Sequence, residues 1–444
     1  MMDCGMFQGL KQWRSLNWEP FPLVMGYVDT IVLSHAHIDH SGYLPRLFRY
    51  GYDGPVFATP STYDLCQIML PDSAHIHEED ARYANKQGYS KHSPALPLYT
   101  QEDAAGSLEL FQTVPYGRSH EINRNIQFEF QDAGHILGSA LTRFTLTRED
   151  DSRISLVYSG DIGRYSEHIL RDPQAMDEAD FLILETTYGD RLHNSGDTES
   201  LLADVINETA ARGGVVLIPS FAVGRTQEVL YHIRELQEMQ RIPPIPVYMD
   251  SPLAIKATRI FCDHLENYPA RVYDPQEGDG CPVLCYNLHI ASQVSESKAI
   301  NTITDPAIII SASGMCEAGR VLHHLKLRLP DPNNSVVFVG YQAEGTRGRR
   351  ILEGEKQIKI HGDYYPVGAR VEYIDTFSAH GDYEEIFRWL GHFRRPPRMT
   401  FLVHGEEASM QAMADKISQR LQWPVHMPSY LEKIDLEQYL PSLQ

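Results

Sequence analysis

Ser34-His35-Ala36-His37-Ile38-Asp39-His40-Ser41-Gly42 places four strong metal ligands within six residues. The run before it, Tyr27-Val28-Asp29-Thr30-Ile31-Val32-Leu33, is rich in β-branched residues and follows Gly26, which predicts a buried strand. The run after it, Gly42-Tyr43-Leu44-Pro45-Arg46-Leu47-Phe48, predicts the first turns of a helix. The ligands therefore sit on a loop leaving a strand end, where a rigid scaffold can aim several side chains at one point. Imidazole nitrogen and carboxylate oxygen are ligands that Zn²⁺ accepts at about 2.0–2.2 Å. His35 and His37 can grip one ion, and Asp39 and His40 a second, in an arrangement where two metals sit about 3.5–4 Å apart. With 20 His in 444 residues, a cluster this dense is not a chance feature of a loop.

A chain of 444 residues exceeds one typical domain and predicts two. Its composition, 42% hydrophobic and 22% charged, is that of an ordinary globular protein. No apolar run approaches the roughly 18 residues of a membrane span. Residues 1–14 show no basic start followed by an apolar core, so no secretory signal and no membrane partner are expected. Cys4, Cys66, Cys262, Cys281, Cys285 and Cys316 form no C-x-x-C pair; they predict free thiols and a reducing, cytoplasmic compartment. The formal net charge of −20 argues against holding nucleic acid by bulk electrostatics. Local capture of phosphate by a metal centre and by helix N-termini stays open.

Other strands also end in chemistry. Gln127-Phe128-Glu129-Phe130 alternates and enters Asp132-Ala133-Gly134-His135. Ser155-Leu156-Val157-Tyr158 runs into Ser159-Gly160-Asp161-Ile162-Gly163. The apolar run Phe181-Leu182-Ile183-Leu184 ends at Glu185, an expensive place to leave a charge unpaired. Residues 371–374 read as a strand ahead of Ser378-Ala379-His380-Gly381-Asp382, and Thr400-Phe401-Leu402-Val403 ends at His404. Residues 55–59 predict a strand and 60–70 a helix capped by Thr59 or Ser61. Residues 71–106 are polar and ambiguous, with His75 and His77 read as a solvated helix face; 101–111 looks helical.

From about residue 190, helices over 201–212, 225–240 and 251–265 alternate with strands over 214–218, 245–249, 307–310 and 336–339, a parallel α/β pattern. Two strand-to-helix turns, Ser220-Phe221-Ala222-Val223-Gly224-Arg225 and Ser311-Ala312-Ser313-Gly314-Met315, consist of small residues ahead of helices. Backbone N–H groups at such a start favour an anion, and Arg225 and Arg320 add charge. The plain alternative is a pair of ordinary tight α/β loops.

His-x-His-x-Asp-His after a strand resembles the signature of the metallo-β-lactamase superfamily. Nearly the whole chain resembles its β-CASP ribonucleases, which include the pre-mRNA 3′-end cleavage endonuclease and related bacterial RNases. The likeness is weakest at the N-terminus and around 71–106. It implies an α/β fold: an αββα metallo-β-lactamase sandwich over 1–189, closed by a return segment over 363–444. A parallel β-CASP domain over 190–362 is inserted, with the active site in the cleft. It also implies two Zn²⁺ per chain, one held by His35, His37 and His135 and one by Asp39, His40 and His404, with Asp161 bridging; manganese is the other candidate. A hydroxide shared by both ions would attack phosphorus, and His380, held by Glu185, would protonate the leaving oxygen. Asp3, in Asp3-Cys4-Gly5, would orient metal-bound histidines. Ser220, Arg225, Ser311, Ser313, Gly314, Arg320 and Ser378 would contact RNA. The implied activity is hydrolysis of single-stranded RNA, endo or 5′-exo; His404 stands where DNA-directed relatives carry Val. The rivals are a hydrolase of small esters, thioesters or lactams, which His380 and His404 disfavour, and a non-catalytic RNA-processing subunit, which the full ligand set disfavours.

Relatives in that family begin with further residues that supply the first two strands and a Gly-rich turn. Here Met1 and Met2 alone precede Asp3, too few for a strand of about 5–6 residues. This reading expects a truncated chain with an exposed sheet edge and Asp3 on a frayed terminus, unable to orient a histidine. Another segment or a homodimer would otherwise cover the edge.

Overall fold

Strand-forming runs of two kinds, alternating and continuously apolar, build two kinds of sheet. The computed structural model describes residues 1–440 except 23–24, 89–91, 194–195 and 274–279. The chain divides into two compact units. The first comprises Met1–Met6, Pro20–Leu192 and His380–Gln444, the second Phe7–Glu19 and His193–Ala379.

In the first unit a seven-stranded sheet runs in the order Val425–His426, Met399–Val403, Phe181–Glu185, Arg153–Tyr158, Ala140–Thr147, Ile126–Asp132, His120–Asn123. Its pairing is antiparallel from His120 to Tyr158 and parallel on both sides of Phe181–Glu185. A parallel three-stranded sheet is made of Ile31–Val32, Val56–Ala58 and Phe111–Thr113. Alternation along Ile126–Asp132 puts Phe128 and Phe130 on one face. There they join Phe144, Leu156, Phe181 and Phe401 of the large sheet and Val32 and Phe57 of the small one in a single apolar core. The other face of the large sheet, with Leu141, Val157, Leu182, Leu184 and Leu402, packs on Ile386, Trp389 and Leu390 and on Met413 and Ile417. Those residues come from the helices Tyr383–Leu390 and Glu407–Arg420. Each fully buried Leu or Phe contributes about 1.5–3 kcal/mol. The result is the αββα layering.

Three local expectations change. The predicted strand over 27–33 narrows to Ile31–Val32, because Met25–Tyr27 turns as a 3₁₀ helix. The helix opened by Thr59, whose side chain accepts from the Thr62 N–H at 3.2 Å, does not stop near residue 70. It runs over Pro60–Gln87 with Pro71 inside. An interior proline costs about 3 kcal/mol or more. Leu65, Cys66, Met69, Leu70, Ala74, Ala81 and Ala84 offset it by burying one continuous face. His77 lies edge-on to the Tyr99 ring at 5.1 Å, part of that packing.

The third change is at the N-terminal segment. Met2 forms a parallel bridge with Val32, and the Asp3 N–H donates to the Val32 carbonyl at 3.0 Å. Cys4 and Met6 N–H groups donate to the carbonyls of His40 and Ile38 at 2.7 and 3.0 Å. Gly5 makes this approach possible, since a Cβ there would lie 1.4 Å from the Asp39 carbonyl oxygen. Asp3 is therefore tied down on both sides, not frayed.

The second unit holds a six-stranded, all-parallel sheet in the order Leu288–Ile290, Val247–Met249, Ala307–Ser311, Val215–Pro219, Ser335–Phe338, Arg370–Tyr373. Its central strands are covered on both faces by two separate cores, which is why they read as continuous apolar runs. Arg370–Tyr373 pairs with Ser335–Phe338 and completes this sheet, although sequence position had grouped it with the return segment. The expectation of six free thiols is corrected: Cys262, at the end of helix Pro252–Asp263, is bridged to Cys281 with Cα atoms 5.1 Å apart. Cys4, Cys66, Cys285 and Cys316 are free and buried. Among the described residues no helix is long and apolar enough to cross a membrane.

Candidate metal centre

Every candidate ligand lies in the first unit: His35, His37, His135, Asp161 and His404 in loops that follow strands, and Asp39 and His40 in a short helix just beyond. His37 starts the short helix Ile38–Ser41. The Ser41 hydroxyl donates to the Ala36 carbonyl at 2.8 Å, and this folds the loop back so that His35, His37 and His40 converge. His135 follows Ile126–Asp132 across Gly134, whose φ of 65° lets the chain reverse. Asp161 follows Arg153–Tyr158, and His404, with φ 51°, follows Met399–Val403.

Two groups of ligand atoms result. In the first, His37 Nδ1 lies 3.1 Å from His35 Nε2 and 3.2 Å from His135 Nε2. Asp161 Oδ2 lies 3.4 and 3.5 Å from those same Nε2 atoms. In the second, His40 Nε2 lies 3.0 Å from His404 Nε2 and 3.2 Å from Asp161 Oδ1, and His404 Nε2 lies 3.6 Å from Asp39 Oδ2. A tetrahedral site with bonds of about 2.0–2.1 Å sets its ligand atoms about 3.3–3.4 Å apart, so the first group has the spacing of four ligands around one ion. Asp161 is 2% exposed, and its Oδ1 is buried without a hydrogen-bond partner. An orphaned buried carboxylate oxygen amid imidazoles is costly and fits a position facing a cation.

Without an ion the electrostatics divide the histidines. Burial, with the neighbouring imidazoles, pushes His35 well down, and burial takes His37 down to about 4 against the pull of Asp39 and Asp161. Burial thus favours the neutral form of both rings, the form that binds a metal. Burial also opposes charge on His40 and His404. Asp161 and Asp3 outweigh it at His40, and Asp161 and Asp39 push His404 up to about 9. Burial raises the Asp161 carboxyl, but His40 and His404 hold it well below the carboxylate range.

A second layer fixes these rings. Asp3 accepts from the Ser34 N–H at 2.6 Å, the Ser34 hydroxyl at 2.7 Å and the Tyr158 hydroxyl at 2.6 Å. It also lies 2.6 Å from His40 Nδ1, leaving Nε2 to point into the centre. Ser34 Oγ is also 3.0 Å from His35 Nδ1. Glu185, fully buried, accepts from the Ile162 N–H at 2.6 Å and faces His380 Nδ1 at 3.3 Å from both oxygens. His380 Nε2 looks toward Asp161 Oδ2 at 3.9 Å. Burial opposes charge on His380, yet Glu185 and Asp161 raise its pKa. Ser34, Tyr158 and Thr187 escaped the sequence reading. Ser34 beside His35 was the one with a local signal, a hydroxyl adjoining a ligand.

The remaining predicted residues lie in the second unit. Ser220 and Ser311 meet at adjacent strand ends, the Ser220 N–H donating to the Ser311 carbonyl at 3.1 Å. Ser311 Oγ donates to the Asp250 carbonyl at 2.9 Å. Gly314 abuts Phe221, Ser313 Oγ accepts from the Glu317 N–H at 3.3 Å, and Ser378 is buried. The two arginines are engaged internally. Arg225 is buried against Glu228. Arg320 donates to Asp250 at 2.7 Å and to the carbonyls of Ala291 and Ser292 at 2.8 and 3.0 Å. Their charges are compensated by carboxylates and are not the spare cations expected from sequence.

Paired sheets with ligands gathered at strand ends define a metal-dependent hydrolase of the metallo-β-lactamase class. A family model described as "Beta-Casp domain" matches residues 226–351, and one described as "Zn-dependent metallo-hydrolase RNA specificity domain" matches 364–428. The chain is 35% identical to a protein named ribonuclease TTHA0252 of Thermus thermophilus, over 95% of this chain and 90% of that one. It is 31% identical to a transcription termination factor FttA of Methanocaldococcus jannaschii, over 98% of this chain and 67% of the other. It is 32% identical to the FttA of Methanosarcina mazei, over 98% and 68%. The chain belongs to the β-CASP family of metallo-β-lactamase-fold hydrolases, enzymes that carry a metal cofactor.

Proposed function

We propose that this protein is a zinc-dependent ribonuclease that hydrolyses phosphodiester bonds in single-stranded RNA at a two-metal centre. The observation that carries this reading is Asp161, whose two oxygens address two separate groups of imidazoles. His35, His37 and His135 would hold one ion, Asp39, His40 and His404 the other, and Asp161 both. Zinc bound there supplies neutralisation of phosphate charge and lowers the pKa of water toward 7. RNA as substrate is supported by the relative named a ribonuclease and by the RNA specificity description of the segment that includes His380 and His404.

The chain's own residues do the rest. Glu185 fixes His380 through Nδ1 and favours its protonated form, so that Nε2 can give a proton to the leaving ribose oxygen as water adds at phosphorus. Such a general acid contributes about 10²–10⁴-fold. Asp3 and Ser34 hold His40 and His35 in the tautomers that leave Nε2 bare. In the second unit, backbone N–H groups of the turns after Ser220 and after Ser311, not the neutralised Arg225 and Arg320, are the groups suited to phosphate.

The test is incubation of end-labelled single-stranded RNA with the purified, zinc-loaded protein and with protein stripped by a chelator. A product ladder that vanishes on stripping and returns with zinc is expected. RNA left intact by the loaded protein, or cleaved equally by the stripped one, overturns the reading.

A further inference from the structure

Glu185 is fully buried beside the centre, and its contacts run in two directions. Toward one side both oxygens face His380 Nδ1. Toward the other, Thr187 intervenes. Its hydroxyl is 2.6 Å from Glu185 Oε2 and 3.2 Å from His404 Nδ1, and its backbone N–H reaches the same Oε2 at 3.3 Å.

The proton count decides what this contact does. A threonine hydroxyl has one proton and two lone pairs. An ionised carboxylate at 2.6 Å takes that proton in preference to the His404 carbonyl at 3.3 Å, because charge-assisted bonds are about twice as strong. A lone pair of Oγ1 is then turned to His404 Nδ1, and the contact is a hydrogen bond only if Nδ1 carries the ring proton. In the neutral ring that a metal ligand requires, Nε2 is then left bare, and it is the atom that lies 3.0 Å from His40 Nε2 and 3.6 Å from Asp39 Oδ2. A carboxylate beyond an imidazole commonly sets ring tautomer and ligand strength; here a hydroxyl stands between them.

Resting on the two-metal reading above, we propose that Thr187 is a positioning residue for the second ion. It relays Glu185 to His404, fixes the Nδ1–H tautomer, and couples that ion's site to the carboxylate that orients His380. The first group meets this relay through Asp161, whose Oδ1 lies 3.5 Å from His404 Nδ1.

The test is zinc titration of the chelator-stripped protein in competition with a coloured chelator, which reports two affinities without RNA. Thr187→Val keeps the shape and removes the hydroxyl; Thr187→Ser keeps the hydroxyl. In T187V the tighter ion is expected to bind as in the unaltered protein and the other about 10–100-fold more weakly, with T187S near the unaltered value. If T187V does not fold, T187A carries the same expectation. Two unaltered affinities in T187V, equal weakening of both, T187S as weak as T187V, or a single ion in the unaltered protein each overturn the proposal. If the titration behaves as expected and the loaded protein leaves RNA intact, the ribonuclease reading fails while the relay stands.

Discussion

Asp3→Ala would remove a carboxylate that four donors address within 2.7 Å: the Ser34 N–H, the Ser34 hydroxyl, the Tyr158 hydroxyl and His40 Nδ1. The Ser34 hydroxyl can rotate toward water that enters the vacated space. The Ser34 N–H and the Tyr158 hydroxyl have no other acceptor in the structure as described. Each buried donor left without a partner costs about 1–3 kcal/mol, so the two together cost about 2–6 kcal/mol. Water entering the space vacated by the carboxylate would bring the loss toward the lower figure. For a unit of this size 1 kcal/mol moves the melting temperature by about 2–4 °C, so a fall of about 4–8 °C is expected in the metal-free protein. His40 would also lose the group that fixes its Nδ1 proton, and zinc affinity at the second site should weaken about 10–100-fold. Differential scanning calorimetry and zinc titration measure the two effects separately. Asp3→Asn is the sharper variant, because its amide would set an N–H against donors already present. An Asp3→Ala protein that melts within 1 °C of the parent and holds both ions equally well would show that Asp3 is not the anchor its contacts describe.

His380→Ala should lower kcat on RNA by about 10²–10⁴-fold while zinc per chain is unchanged, because His380 is the proposed proton donor to the leaving group and is not among the ligand groups; a smaller kcat loss, or loss of zinc, removes it from the general-acid role. His404, present where DNA-directed relatives of the family carry Val, leads to the expectation that single-stranded RNA is cleaved well ahead of DNA of the same sequence; equal rates in a paired assay would refute that.

Ligand residues at strand ends were legible because coordination demands a few residue types, and a strand fixes where the chain leaves the sheet. His35, His37, Asp39 and His40 declare themselves by spacing alone. His135, Asp161 and His404 are single residues: the strand before each marked the loop, and the resemblance to the family gave them as candidate ligands. The second layer is harder to read because Tyr158 and Thr187 are common residues whose partners are remote: Tyr158 meets Asp3 from 155 positions away and Thr187 meets His404 from 217. Arg320 misled for the same reason, its carboxylate Asp250 lying 70 residues earlier. The helix from Pro60 was ended at residue 70 because the stretch beyond is polar and ambiguous, whereas its buried face, with Ala74, Ala81 and Ala84, continues past Pro71. Asp3 was expected on a frayed terminus because two preceding residues are too few for a strand. Hydrogen bonds from Asp3, Cys4 and Met6 to Val32, His40 and Ile38, with one bridge, order it instead.

The acidity of the chain and the proposed substrate can be reconciled at the centre itself. A formal charge of −20 repels a polyanion at long range, but that repulsion is screened beyond about 8–10 Å at physiological salt. Inside that distance the relevant charges are few. Asp39 and Asp161 are the two acids among the seven candidate ligands, and two divalent ions would bring four positive charges against them. Glu185 is fully buried and turned toward His380 and Thr187, so its charge is spent on orientation. Arg225 and Arg320 are committed to Glu228 and Asp250 and are not free to hold RNA. On the proposed reading, the contacts that remain for RNA are those at the scissile phosphate and at backbone N–H groups, where the long-range repulsion by the chain's net charge is outweighed locally.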